Sequence, residues 1–174
     1  LIRPKQALNK AFLKEKLHRS DIDIFKRNLI RLIDKINVEE SEENAKNHVR
    51  DFLLDTYYKG KIEINTKDRS DLVIHINKEA KYPVGVIIEA KRPAEKYEML
   101  SKTNLNVKAF QELMLYYLRE RIDNKNTNIT NLIATNGFEW FIFQGNDFYR
   151  LFYRNTNLKK HYTEWRDGQK DSSK

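Results

Sequence analysis

Apolar positions recur at two periods along this chain, and the switch between them marks its elements. From residue 5 to about 36 the spacing is helical. Leu8, Phe12, Leu13 and Leu17 form one run, and Ile22, Phe25, Leu29, Ile30, Leu32, Ile33 and Ile36 a second. Ser20-Asp21 is the expected N-cap between them. A helical arm over residues 1–40 is predicted, packing on the core or on a neighbouring domain. Ser41 caps the next helix, which runs to about Tyr58 with Ala45, Val49, Phe52, Leu53 and Thr56 as its stripe. Gly60 ends it. The period then falls to two. Lys61-Ile62-Glu63-Ile64 predicts a strand and residues 65–69 a turn. Asp71 to Ile76 and Val84 to Lys91 predict an antiparallel hairpin at the middle of a sheet. Val84 to Ile88 is apolar on both faces, as a central strand requires.

Beyond Arg92-Pro93 a polar loop runs to about Lys102, and helical spacing returns from Asn104 to Arg121, with Val107, Phe110, Leu113, Met114, Tyr117 and Leu118 as the apolar arc. Leu132–Thr135 and Glu139–Phe143 are predicted strands around an Asn136-Gly137 turn. A second turn at Gly145-Asn146 leads to a predicted strand over Phe148–Phe152. Residues 154–174 read as a polar C-terminal segment. The fold class expected is α/β, a mixed central sheet flanked by helices, with its core over residues 41–153.

Composition changes this picture in two respects. The 33 Lys and Arg outweigh 25 Asp and Glu among 174 residues, for a formal charge of +8 and a pI near 9.5. That excess suits a polyanionic partner, nucleic acid before membrane, although solubility alone also accounts for it. The absence of cysteine excludes disulfides, thiolate metal sites and a cysteine nucleophile. No apolar run reaches the roughly 20 residues of a membrane span.

Chemistry concentrates where the second hairpin strand ends. Glu89 and Lys91 are two residues apart, so they point to the same side. A carboxylate and an ammonium at the edge of a core are costly unless they pair or bind something. A buried ion pair and a reactive site are both open readings. On the helix after Ser41, Glu42 falls within the apolar stripe by the 100° wheel, with Glu43 at its flank as the alternative. Both acids also favour the helix N-terminus, without any further role. On the helix after Asn104, Gln111 lies inside the apolar arc and Glu112 outside it. A core-facing glutamine needs partners, either sheet-end backbone or Lys91. His18, His48, His75 and His161 show no zinc spacing. His75 shares the parity of Asp71, and ordinary packing is the expected role.

Asp71 followed by Glu89-Ala90-Lys91 at the end of a hydrophobic strand resembles the PD-(D/E)xK nuclease superfamily, with Ser70 where the family name has proline. The order helix, three strands, helix, further strands resembles its restriction-endonuclease-like αβββαβ core. The segment Ser41-Glu42-Glu43-Asn44-Ala45-Lys46-Asn47 with Asp51 to Tyr58, and the later Ala-Thr-Asn-Gly…Trp…Phe, resemble the N-terminal nuclease domains of fused nuclease–methyltransferase (type IIG-like) restriction-modification enzymes and of type I restriction subunits. That likeness implies a DNA endonuclease with double-stranded DNA as partner. Downstream methyltransferase and target-recognition domains and a bacterial cytoplasmic setting are implied too. The start at Leu1 and the polar end agree with a piece of a longer protein. The likeness further implies Mg²⁺ or Mn²⁺ held by Asp71, Glu89 and the Ala90 carbonyl. Lys91 would orient the attacking water, with Glu42 or Glu43 as an added carboxylate and Gln111 as a partner of Lys91. Lys91, Arg92, Lys96, Lys102 and Lys108 are the candidate DNA contacts; for each, a solvated surface charge is the competing reading. A catalytically inactive DNA-binding or scaffold module of the same fold is the alternative.

Overall fold

The computed structural model describes residues 2–36, 39, 41–67 and 71–171, except the side chains of Lys67 and Asp71. Five strands form one open mixed sheet in the order β1-β2-β3-β4-β5: β1 Ile64–Lys67, β2 Asp71–His75, β3 Val84–Ala90, β4 Asn131–Thr135 and β5 Trp140–Gln144. The hairpin of β2 and β3 is antiparallel, with Leu72 opposite Ile88 and Val73 opposite Ile87. β4 runs parallel to β3, and β5 turns back antiparallel. Parallel neighbours need a long crossover, and here it carries helix α4, Lys108–Ile122. Further helices are α1 Pro4–Ala7, α2 Arg19–Lys35, α3 Glu42–Leu53, α5 Gly145–Phe148 and α6 Thr156–Arg166. The protein is therefore α/β with a mixed sheet, as the apolar spacing predicts. No helix among the described residues is long and apolar enough to cross a membrane.

Strand alternation splits the core in two. Leu72, Ile74 and Ile88 face α2 and α3, where they meet Leu32, Ile36, Val49, Phe52 and Leu53. Val73, Ile87, Leu132 and Ala134 face α4, where they meet Ala109, Leu113, Tyr116 and Tyr117. This is why β3 reads as apolar on both faces. The arm packs only through its second half: Leu8, Phe12, Leu13 and Leu17 stay exposed, while Leu32 and Ile36 are buried. His18, not Ser20, occupies the N-cap of α2. β1 sits about three residues later than the predicted strand.

The predicted strand over Phe148–Phe152 is helical instead, α5 continuing into a π-helical turn at Tyr149–Tyr153. Its aromatics repeat at four residues rather than two. Phe148 and Phe152 have ring centroids 5.0 Å apart, and Tyr149 and Tyr153 stack at 5.4 Å. Residues 156–166, within the polar C-terminal segment, form α6, capped by the Asn155 side chain, which accepts from the Leu158 N–H.

Two glycines make these joins possible. At the β4–β5 turn Gly137 has φ +85, and a Cβ there would lie 2.0 Å from Ile36 Cδ1. At the start of α5 a Cβ on Gly145 would lie 2.2 Å from the Ile129 carbonyl oxygen. Backbone cannot yield as a side chain can, so Gly145→Ala is expected to cost about 2 kcal/mol by overpacking. Urea unfolding checks this. Gly85→Ala, which meets the Ile76 Cγ2 methyl at 3.0 Å and the Ile74 carbonyl at an ordinary contact distance of 3.6 Å, should cost less.

Candidate functional site: a buried lysine among carboxylates

The C-terminal end of β3 places Glu89, Ala90 and Lys91 where the sheet meets the loop of residues 91–107. The Lys91 N–H donates to the Thr135 carbonyl at 2.8 Å, which pins this end to β4. Met99 and Leu100 anchor the loop in the core on the α4 face. Glu95 and Glu98 are thereby held over the strand end. The first turn of α3 supplies Glu42, and α4 supplies Glu112.

These elements converge on one ammonium. Lys91 Nζ lies 2.6 Å from Glu112 Oε2, 2.8 Å from Glu89 Oε1, 3.2 Å from Glu42 Oε2 and 4.0 Å from Glu98 Oε2. The side chains of Lys91 and Glu89 are each only 1% exposed. A second buried lysine, Lys46, reaches Glu42 Oε1 at 3.3 Å from one turn along α3. At the rim, Arg92 pairs with Glu95 at 2.6 Å and Lys108 with Glu98 at 3.0 Å. Oxygens of Glu42, Glu95 and Glu98 lie within 4.8 Å of one another. Among the described residues five carboxylates thus meet four cations, an acidic excess inside a basic chain.

Glu89 is the least satisfied member. Among the described residues neither of its buried oxygens has a hydrogen-bond partner of good direction, although Lys91 is in ionic contact with one of them at 2.8 Å. Burial pushes its carboxyl up to about 7, against the pull of Lys91 and with the help of Glu112. For Lys91, burial works against the charge, but Glu89 and Glu112 outweigh it and hold the ammonium above the usual lysine range. Lys91 therefore stays protonated at neutral pH. It can donate hydrogen bonds and stabilise negative charge, but it is no proton acceptor.

The positions singled out in the sequence fall into three groups. Glu89, Lys91 and Glu42 come together, with Ala90 between the first two. Asp71 opens β2 next to Leu72, which faces Ile88, so its backbone lies alongside Glu89; its side chain lies outside what is described. Glu43 is exposed. Gln111 points away and donates to Asn106 Oδ1 at 3.1 Å; its neighbour Glu112 takes the place expected of it. Of the five basic positions, Lys91 is interior, Arg92 and Lys108 are paired within the rim, and Lys96 and Lys102 are exposed. His75 packs between the Tyr82 carbonyl at 2.6 Å and Asn65 Oδ1 at 3.1 Å, away from the cluster.

Glu112, Glu95, Glu98 and Lys46 were not anticipated. A signal existed for two of them. Glu112 stands three residues after Ala109 and four before Tyr116, both buried, and Lys46 stands four after Glu42. Glu95 and Glu98 sit on an irregular loop, where no period reports orientation.

Fold and cluster together define an α/β protein with a lysine–carboxylate centre at the C-terminal end of its central strand. Residues 2–174 match the family described as a domain of unknown function, DUF7149, and the chain belongs to that family. No curated protein and no solved structure matches it.

Proposed function

We propose that this chain is a metal-dependent DNA endonuclease domain with a restriction-endonuclease-like core, serving a restriction-modification protein. The observation that carries the reading is Glu89: a buried carboxylate with unsatisfied oxygens, beside an obligate ammonium and the backbone of Asp71. The donor set suits a hard divalent cation, because it consists of oxygens in excess of the local positive charge. Glu89 and Asp71, with the Ala90 carbonyl, would hold Mg²⁺ or Mn²⁺. Such an ion, when bound, neutralises charge on the phosphoryl oxygens and activates water.

The chain's own residues do the rest. With substrate bound, Lys91 would turn one of its three N–H donors from a carboxylate to the attacking water or to a phosphoryl oxygen, and its charge would stabilise what develops there. Glu112 and Glu42 fix the direction of the ammonium. Lys46 holds Glu42 in turn. Double-stranded DNA is the substrate that the +8 charge favours. The alternative, a catalytically silent DNA-binding or scaffold module, draws support from one feature: Lys91 is already neutralised by carboxylates in the interior.

Calorimetric titration of the chain with Mg²⁺ and Mn²⁺, alongside nicking of supercoiled plasmid with and without EDTA, separates the two. Ion binding and EDTA-sensitive nicking are expected. A protein that binds neither ion contradicts the nuclease reading.

A further inference from the structure

Positive charge gathers a second time at the other end of α4. Arg121 stands nine residues after Glu112, roughly 13 Å along the helix axis. There an open pocket of about 390 Å³ is lined, among the described residues, by Arg121, Ile122, Lys125, Thr127, Tyr153, Lys159 and Thr163, none of them a carboxylate. The volume lies within the usual range of small-molecule sites, about 300–1,000 Å³. Three separate parts of the chain supply the cations: α4, the loop after it, and α6.

The pocket is organised before any ligand arrives. The Arg121 guanidinium lies 5.2 Å from the Tyr149 ring and 4.8 Å from the Tyr153 ring, within cation–π range of both. One of its nitrogens donates to the Asn126 carbonyl at 3.2 Å, while its buried Nε has no hydrogen-bond partner among the described residues. Lys159 Nζ sits 4.9 Å from the Tyr153 ring. Lys125 has φ 52, the left-handed region where glycine would cost less, yet the position carries a charge. The acids beside the lining positions are engaged elsewhere: Asp123 by Arg166 at 2.7 Å and by the Tyr162 hydroxyl, Glu120 by the Asn124 and Asn126 amides, and Glu164 by Lys170 at 2.8 Å.

We propose that this pocket binds a compact polyanion through phosphoryl oxygens, of the size of a diphosphate. A single carboxylate would leave two of the three cations unmatched. A diphosphate, with several oxygens and more than one negative charge, engages all three. The inference stands on residues remote from Glu89 and does not depend on the nuclease reading.

The test uses sodium pyrophosphate in metal-free buffer at constant ionic strength, read by thermal shift and by calorimetry. The unaltered chain should gain thermal stability and bind saturably. Lys125→Gly should retain the Tm of the parent without ligand, because glycine relieves the left-handed backbone. Its apparent Kd for pyrophosphate should rise roughly tenfold, the worth of one charged hydrogen bond. Lys125→Gly with Lys159→Gln should bind more weakly still. Competition then identifies the source of the phosphate. Displacement of pyrophosphate by duplex DNA assigns the pocket to the nucleic-acid backbone; retention assigns it to a small phosphorylated ligand. No binding to the unaltered chain, or equal binding by the double variant, overturns the proposal.

Discussion

Lys91→Ala is expected to cost about 3–5 kcal/mol of folding stability, the range for breaking a buried ion pair from one side. The geometry supports the upper part of that range. The ammonium is 1% exposed and stands within 3.2 Å of three carboxylates. Alanine leaves Glu89, Glu112 and Glu42 facing one another with no central charge. Glu89 is equally buried and, among the described residues, has no other hydrogen-bond partner to fall back on. Cleavage should be lost together with stability, since the group that positions water and phosphate is gone.

Two further measurements separate function from scaffolding in Lys91→Ala. Mg²⁺ should raise its unfolding midpoint more than that of the parent, because an ion can replace the missing positive charge, and binding to the folded state alone stabilises it. The double change Lys91→Met with Glu89→Gln removes the two most buried charges; Glu42 keeps Lys46 at 3.3 Å, and Glu112, 26% exposed, turns to water. It should recover part of the lost stability, as neutral replacements of buried pairs often do, and recover no cleavage. A Lys91→Ala protein that unfolds within about 1 kcal/mol of the parent would show that the network is not what holds this end of the sheet.

Much of this arrangement was legible in the sequence, for reasons that particular residues make clear. The run Val84–Ile88 is apolar on both faces because it truly has two cores to touch, so the central strand and its partner β2 could be placed. The two-residue spacing of Glu89 and Lys91 translates directly into one face of a strand end. Glu42 could be oriented because α3 is regular and its stripe is narrow. The α4 wheel misled because Val107, Phe110 and Met114 are only partly buried. Counting them as core turned the apparent centre of the face toward Gln111. The true centre follows Ala109, Leu113, Tyr116 and Tyr117, and Glu112 lies at its edge. The Phe148–Phe152 error has a similar origin. Dense aromatics satisfy strand and helix templates alike over five residues, and only the four-residue ring pairs decide. The loop acids were beyond reach, since their placement depends on where Met99 and Leu100 dock.

Glu89→Gln should abolish the pH dependence contributed by this site. Burial raises the folded carboxyl to about 7 from an ordinary value of 4.5. Between those values the folded state binds the proton and the unfolded state has released it. By linkage, stability from this group is fully present below about 4.5 and is lost as pH rises through about 7. The size of the loss is on the order of 3 kcal/mol, and it needs little discount because the side chain is almost wholly buried. Glutamine has no proton to lose. The difference in unfolding free energy, parent minus Glu89→Gln, should therefore fall as pH climbs from about 5 to about 7 and then level off. Above that, the variant should equal or exceed the parent in stability, since Lys91 keeps Glu112 at 2.6 Å and Glu42 at 3.2 Å. Cleavage should drop by about two orders of magnitude or more across the same range, because an amide is a poor ligand for a hard cation and carries no charge. Mg²⁺ should flatten the slope in the parent alone, since a cation beside the carboxylate favours its charged form. Urea titrations at a series of pH values, with and without Mg²⁺, measure all of this. A difference that stays level from pH 5 to 8 would mean that Glu89 titrates as an ordinary surface acid, and the buried-ligand reading would fall with it.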